Sequence, residues 1–155
     1  MNPQDDADLF RLVYRSRCAI AGSPDEIRQT VAALVAASQR RNAEAGITGT
    51  LLFTGVFFVQ ALEGAAAGVE AIFDQICCDL RHSGVEVVEC GPVLQRLFGD
   101  DPMSYLMPDA GSGALVDRVE HDTELADAAA AAMKLMVALI RPEQCKGGST
   151  LQSAA

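Results

Sequence analysis

The chain has 155 residues, half of them hydrophobic, and a formal net charge of -9 at pH 7. A chain of this length buries enough surface to fold without disulfide or metal staples, and its acidity argues against a nucleic-acid partner, because phosphate backbones are bound by clustered basic surfaces. The five cysteines follow no metal-ligand spacing, so we predict reduced thiols and no metal site.

The N-terminus, MNPQDDADLF, has neither the positive charge nor the apolar run of a signal peptide. The longest apolar stretch, GTLLFTGVFFVQAL, is short and is interrupted by Gly55, so no membrane span is predicted. We therefore expect a cytoplasmic protein without a membrane partner.

The first predicted element is a strand from Leu9 to Ser16, where apolar residues alternate with polar ones. Tyr14 lies on the apolar side of this strand and is expected to be buried. We interpret the basic residues of the strand and of one later segment as solvated faces: Arg11, Arg15, Arg17, Arg40 and Arg41.

A helix is predicted to begin at Ser23, which can act as the N-cap, with Pro24 in the first helical position and Glu26 completing a capping box. Its apolar stripe continues into Ser38 and, one turn later, into Asn42. The inward face of this helix therefore ends in polar side chains.

Gly46 is expected to end the helix, and two β-rich runs follow in GITGTLLFTGVFFVQALEG, separated by a turn at Thr54-Gly55. In the second run, Gln60 shares a face with large apolar side chains. A buried glutamine must find hydrogen-bond partners or it costs about 1 to 3 kcal/mol. Gln60 is thus a candidate for binding a ligand.

A second helix is predicted in AAAGVEAIFDQICCDL, because its apolar residues recur with helical spacing. Cys77 and Cys78 fall within this pattern, and we expect them to be buried as small hydrophobes. Two further strands are predicted, in VEVVECG and in PVLQRLF.

The element order βαββαββ predicts an α+β, ferredoxin-like fold with both helices on one face of the sheet. In that arrangement Tyr14, Asn42 and Gln60 converge between the first helix and the sheet.

The composition changes after Met107, where the linker-like PDAGSG precedes the alanine-rich HDTELADAAAAAMKLMVALIRP. The apolar content of this segment predicts a helical appendage that packs on the open sheet face or in a dimer interface. We divide the chain into a main domain at 1–107, the C-terminal helical appendage at 108–142, and a tail at 143–155 that is expected to be disordered.

Four motifs stand in order along residues 9–105: LVYRSR around Tyr14, SQRRN with AEAGITG at the end of the first helix, FFVQALEG around Gln60, and DLRHSGVEV after the second helix. In these motifs and their spacing the chain resembles the BLUF family of flavin-binding blue-light sensors.

The resemblance implies a role for each matching residue. Tyr14 matches the tyrosine that donates an electron to the excited flavin, and Gln60 matches the glutamine that rearranges its hydrogen bonds afterwards. Asn42 matches the asparagine that holds the edge of the ring, and Met103 the methionine that packs near the glutamine. The full set implied to bind FAD is Tyr14, Ser38, Arg41, Asn42, Ile47, Phe58, Gln60, Arg81, His82 and Met103.

The resemblance also implies a function: a short BLUF photoreceptor, not an enzyme, that holds FAD noncovalently and signals to an unidentified downstream protein as a homo-oligomer. One position departs from the family pattern. Asp101 stands where the family commonly has a tryptophan, and the chain contains no tryptophan.

Without the resemblance, each residue has an ordinary explanation. Tyr14 can be a core residue with a wet hydroxyl, Asn42 a helix C-cap, and Gln60 an exposed side chain after a one-residue register shift. The alternative function is then a flavin-free, ferredoxin-like protein-interaction domain. A small flavin enzyme is a third possibility, but no substrate acid, base or nucleophile is placed for it.

Overall fold

The computed structural model describes residues 8–121 and 124–140. The predicted disordered tail at 143–155 lies outside these ranges, as does Cys145. The described strands and α-helices are, in chain order, β1 (Leu9–Cys18), α1 (Pro24–Glu44), β2 (Thr48–Phe53), β3 (Phe57–Ala65), α2 (Ala66–Cys77), β4 (His82–Pro92), β5 (Ser104–Leu106), α3 (Gly113–His121) and α4 (Leu125–Ile140).

The five strands form one mixed sheet in the order β4-β1-β3-β2-β5. β1 is antiparallel to both of its neighbours, β2 is antiparallel to β3, and β5 pairs in parallel with β2. The predicted α+β, ferredoxin-like plan with five strands is therefore confirmed.

Each face of the sheet is covered by two helices. One core lies between the sheet and α1 with α2, and it includes Leu12, Tyr14, Val35 and Ile72. The other lies between the sheet and α3 with α4, and it includes Val59 and Leu135. The predicted helical appendage packs on the sheet face that α1 and α2 leave open.

α1 begins as its sequence predicts. Ser23 is the N-cap, and its Oγ accepts a hydrogen bond from the backbone N–H of Glu26 at 3.2 Å, which is the first half of the predicted capping box. Ser38 and Asn42 are both buried on the inward face. After the C-cap residue Ala45, Gly46 adopts a φ of 68°, a left-handed conformation that favours glycine.

The prediction of a fifth strand in PVLQRLF is wrong. Pro92 ends β4, and the rest of the segment is a loop in which Leu94 is fully exposed. The backbone N–H groups of Leu97 and Phe98 donate to the carboxylate of Glu63 instead of to a neighbouring strand. The fifth strand is the three-residue β5, further along the chain.

Three other expectations are also corrected. Cys77 and Cys78 are exposed, because α2 ends at Cys77 and the C-cap residue Cys78 faces solvent. Arg11 is buried beneath Phe98 and the Gln95 carbonyl of the loop after β4, and Arg15 is half-buried against the Val119 carbonyl of α3. The sequence also did not predict α3, a nine-residue helix in which only Val119 is buried.

No helix among the described residues is long and apolar enough to cross a membrane.

The packing of α4 on the sheet can be tested at Leu135, which is 1% exposed. Replacing Leu135 with Ala is expected to lower the free energy of unfolding by about 2 to 5 kcal/mol, because a buried cavity forms between α4 and the sheet. Chemical denaturation monitored by circular dichroism measures the change. Lys134→Ala, on the exposed side of the same helix turn, is the control and should stay within about 0.5 kcal/mol of the wild type. Equal stabilities of the two variants would contradict the packing of α4 on the sheet.

Candidate functional site

A cavity of about 170 Å³ lies between α1, the C-terminal end of α2 and the sheet face that these helices cover. Its walls are apolar where α1, β2, β3 and α2 contribute side chains, and charged at the rim. The lining residues are Tyr14, Leu34, Ala37, Ser38, Arg41, Leu51, Phe58, Gln60, Ile76, Asp79, Arg81 and His82.

The sheet register places Tyr14 beside Gln60 at the inner end of this cavity. Tyr14 on β1 lies directly opposite Gln60 on β3, and Gln60 lies opposite Leu51 on β2. The register between β1 and β4 shifts between Val13 and Tyr14. Such irregularities bend a strand locally and change the direction of a side chain.

Tyr14, Gln60 and Met103 form a buried chain of polar contacts. The Tyr14 hydroxyl donates to Gln60 Oε1, and Gln60 Nε2 donates to the Met103 sulfur at 3.7 Å. The three residues are 3%, 4% and 1% exposed, so water does not compete for these groups. The predicted need of Gln60 for partners is met on both sides of its amide.

Burial raises the pKa of the Tyr14 phenol well above its ordinary value, although the nearby Arg41 guanidinium opposes the shift. Tyr14 therefore stays protonated near neutral pH and can donate its hydrogen bond. Burial in turn lowers the pKa of Arg41. The Tyr14 ring lies against Phe73, with ring centroids 5.7 Å apart, and against His82, with centroids 6.0 Å apart.

α1 holds the segment that carries Met103. Asn42 Nδ2 donates to the Pro102 carbonyl at 2.8 Å, and Gln39 Nε2 donates to the Met103 carbonyl at 3.0 Å. Asn42 is completely buried, and its Oδ1 has no hydrogen-bond partner. A buried acceptor without a donor is costly, so Asn42 is suited to a ligand that brings an N–H group.

The rim of the cavity is formed by residues that follow α2. Arg81 and Asp79 form an ion pair at 2.6 Å, and the hydrogen bonds from Arg81 hold the pKa of the Asp79 carboxyl below its ordinary value. The His82 ring contacts Ser16 Oγ and the Ile76 carbonyl, each at 2.7 Å. Because a carbonyl only accepts, Nε2 of His82 carries the proton.

The structure brings seven of the ten predicted site residues into the cavity wall; they are Tyr14, Ser38, Arg41, Phe58, Gln60, Arg81 and His82. Asn42 and Met103 lie outside the wall, where they contact the 102–103 segment and Gln60 respectively. Ile47 also lies outside it and packs against the backbone of Gly64. The approach is so close that a Cβ atom added to Gly64 would lie 2.5 Å from Ile47 Cδ1.

Five lining residues were not predicted: Leu34, Ala37, Leu51, Ile76 and Asp79. Two of them could have been found from helical spacing. Leu34 and Ala37 precede Ser38 and Arg41 by four residues each, which places all four on one side of α1. Leu51 and Ile76 are ordinary core residues by pattern, and Asp79 follows the end of α2.

Within the described part of the chain, no group of three or more His, Cys, Asp or Glu side chains could hold a metal ion.

The sequence and the fold both match one family of known proteins. The sequence model of the BLUF family, described as sensors of blue-light using FAD, matches residues 9–104. The chain is 36% identical over 91 residues to the blue light- and temperature-regulated antirepressor BluF of Escherichia coli (strain K12), which covers 59% of this chain and 22% of that protein. It is 33% identical over 94 residues to the photoactivated adenylate cyclase subunit beta of Euglena longa, which covers 60% of this chain and 11% of that protein.

Among solved structures, the dark-state structure of BlrB, a BLUF protein, matches with a TM-score of 0.66 at 32% identity. That match covers 84% of this chain and 96% of BlrB. The two curated relatives are much longer proteins, of which this chain spans well under two thirds.

Proposed function

We propose a function from the premise that the chain belongs to the BLUF family of blue-light sensors using FAD, whose model matches more than half of its residues. The chain is a blue-light photoreceptor that binds FAD noncovalently in the cavity beside Tyr14. The observation that supports this most directly is the buried chain of contacts from Tyr14 through Gln60 to Met103. It gives the cavity a polar inner end that can change its hydrogen bonds.

The residues present suit a flavin ring. A flat aromatic ring needs apolar contacts on its faces and hydrogen-bond partners at one edge. Leu34, Leu51 and Phe58 supply apolar walls. Asn42 follows the wall residue Arg41 on α1 and lies outside the wall itself, and its unpartnered Oδ1 would supply an acceptor. Arg41, whose buried Nε also has no partner, and Arg81 at the rim would hold the polar parts of FAD.

FAD, when bound, absorbs blue light and in its excited state takes an electron from a neighbouring phenol. Tyr14 is the candidate phenol, since it is a tyrosine in the cavity wall and stays protonated. Gln60 then responds, because an amide can exchange its donor and acceptor without a change in charge.

Met103 makes the two orientations of the Gln60 amide differ in the hydrogen bonds they can form. In the present orientation Gln60 Nε2 donates to the sulfur, which is a weak acceptor. After an exchange of the amide groups, Oε1 would face the sulfur, and neither atom could donate. Met103 would then lose its polar contact with β3, and the amide would donate to the Tyr14 hydroxyl.

The change at Met103 can pass directly to β5, which begins at the next residue, Ser104. Leu106 at the end of β5 packs against the core that includes Leu135 and Met136 of α4. The proposed output is therefore a change in how the 108–142 appendage packs on the 1–107 domain. A separate partner protein, or a second copy of this chain in a homo-oligomer, would bind differently after this change.

This chain is proposed to act without catalysis of its own. The photoactivated adenylate cyclase subunit is named for an enzyme activity, but the match covers only 11% of that protein. The four described cysteines have free thiols, which suits a reducing cytoplasmic location.

The proposal is tested by an absorption spectrum of the purified, FAD-loaded protein before and after blue light. The expected result is a yellow protein whose absorption moves reversibly to longer wavelength. A colourless protein that does not take up FAD would favour the alternative, a flavin-free protein-interaction domain.

The role proposed for Asn42 predicts a loss of FAD affinity. Asn42→Ala is expected to weaken FAD binding by about five- to twelvefold, because a hydrogen bond worth roughly 1 to 1.5 kcal/mol is lost. Titration of the apoprotein with FAD, followed by flavin fluorescence, measures the change. Gln39→Ala is the matched control, since Gln39 bonds to the adjacent carbonyl of the same segment but is exposed on α1, whereas Asn42 is buried. If both variants bind FAD equally well, Asn42 does not hold the ring.

A further inference from the structure

β3 carries two buried polar side chains that project from opposite faces of the sheet. Gln60 faces the cavity, whereas Glu63, three residues later, is 0% exposed and projects from the opposite face, the one that α3 and α4 cover. A buried carboxylate is tolerated only where hydrogen bonds and an opposite charge compensate its lost hydration. The partners of Glu63 therefore show what it holds in place.

The Glu63 carboxylate holds the backbone of the loop between β4 and β5. Oε2 accepts from the Leu97 N–H at 2.9 Å, and Oε1 accepts from the Phe98 N–H at 2.9 Å. Arg11 on β1 supplies the opposite charge, with its Nε 2.9 Å from Oε2. Arg11 also donates to the Gln95 carbonyl at 3.0 Å. Glu63 and Arg11 together therefore bond to both N–H and C=O groups of the loop.

The loop that Glu63 holds leads directly to Met103. Phe98 is completely buried against the α3–α4 side, and Met103 follows it by five residues. Between them, Gly99 adopts a φ of 88°, and the Asp101 carbonyl accepts from the Gly49 N–H at 3.1 Å. Residues 97–103 thus contact β3 at both ends, through Glu63 at one end and Gln60 at the other, and α1 also bonds to the Met103 end.

We propose that Glu63 is a positioning residue for the light response, which fixes the 97–98 backbone to β3 and thereby keeps Met103 against the Gln60 amide. This role rests on the function proposed above. With the anchor in place, a change at Gln60 moves the Met103 end of the segment while the Phe98 end stays still. The movement is thus directed into β5 rather than back into the loop.

Glu63→Gln is the decisive variant, because it keeps the size and shape of the side chain. An amide has one oxygen, so its NH₂ group must face either a backbone N–H or Arg11 Nε. At that contact two hydrogen-bond donors face each other, and the hydrogen bond is lost. Glu89→Gln is the matched control. Glu89 is the other carboxylate on Arg11, at 3.0 Å, with a side chain 34% exposed, and the backbone N–H groups of the loop bond to Glu63 instead.

Two measurements on the FAD-loaded full chain test the proposal. Hydrogen exchange in the dark should be roughly tenfold faster at the Leu97 and Phe98 amides in Glu63→Gln than in Glu89→Gln. Dark recovery after illumination should be roughly threefold faster or more in Glu63→Gln, because a less fixed Met103 lowers the barrier for the amide to return. The size of the light-induced shift should be retained.

The outcomes separate this role from the proposed function. A wild type without a light shift overturns the proposed function, and the positioning role with it. A wild type that shifts, with a Glu63→Gln variant that recovers at the same rate, overturns only the role of Glu63. If Glu63→Gln fails to fold, Arg11→Lys takes its place, since it keeps the charge and removes the forked contacts, and the same two measurements decide.

Discussion

Replacing Tyr14 with Phe is expected to leave the protein yellow and to abolish the reversible shift of its absorption to longer wavelength. Phenylalanine keeps the ring that packs against Phe73, so the cavity and its affinity for FAD should be retained. The hydroxyl that donates to Gln60 Oε1 is lost, and so is the phenol that can give up an electron. Absorption spectra in the dark and after blue light measure both properties in one sample.

Tyr105→Phe is the matched control for Tyr14→Phe, because Tyr105 is the chain's other tyrosine. It lies in the same row of the sheet, opposite Leu51, and its hydroxyl has no hydrogen-bond partner. Its removal should leave the light response intact.

Tyr14→Phe is also expected to cost about 1 to 3 kcal/mol of stability, because Gln60 Oε1 is left buried without a donor. A retained shift in Tyr14→Phe would refute the role proposed for Tyr14.

The parts of the fold that the sequence predicts are those where local pattern and tertiary environment agree. The alternation in LVYRSR places Tyr14 on the buried face of β1, and the spacing of Ser38 and Asn42 places both on the inward face of α1. The Thr54-Gly55 turn likewise fixes the register between β2 and β3, which sets Gln60 inward. These choices depend on residues close together in the chain.

The parts that could not be predicted depend on groups far apart in the chain. PVLQRLF has an apolar composition suited to a strand, but a carboxylate more than thirty residues earlier takes up its backbone N–H groups. Arg11 has the pattern of a solvated residue and is buried because the loop after β4 covers it with Phe98 and the Gln95 carbonyl. β5 has three residues, too few for a periodic signal, and it forms because β2 offers a free edge.

The residues of the site also fall into those that the sequence predicts and those that depend on distant parts of the chain. The family resemblance supplied Tyr14, Gln60 and Met103, and the structure records their contacts with one another. The contact between Asn42 and the Pro102 carbonyl was not predicted, because it joins α1 to a segment sixty residues later. Asp101, in place of the family's tryptophan, is exposed, and its side chain bonds to Ser104 at 3.4 Å.

The second large effect is expected for Gln60→Leu, which should leave FAD bound and remove the light-induced shift. Leucine approximates the size of glutamine and suits the apolar neighbours Phe58 and Leu62, so the fold should be kept. It can neither accept from the Tyr14 hydroxyl nor donate to Met103. Even if Tyr14 still gives up an electron, no amide remains to exchange donor and acceptor. Steady-state difference spectra should therefore be flat, while fast transient absorption still detects quenching of the excited flavin.

Gln39→Leu is the control for Gln60→Leu, because it makes the same chemical change in a side chain that also bonds to Met103. Gln39 is exposed on α1 and reaches only the Met103 carbonyl, so its loss should leave the spectral shift in place. The comparison separates loss of the amide at Gln60 from a general loosening of the Met103 segment. A Gln60→Leu variant with a normal shift and normal recovery would move the switch to another residue, and Asn42, which also contacts this segment, would be the next to test.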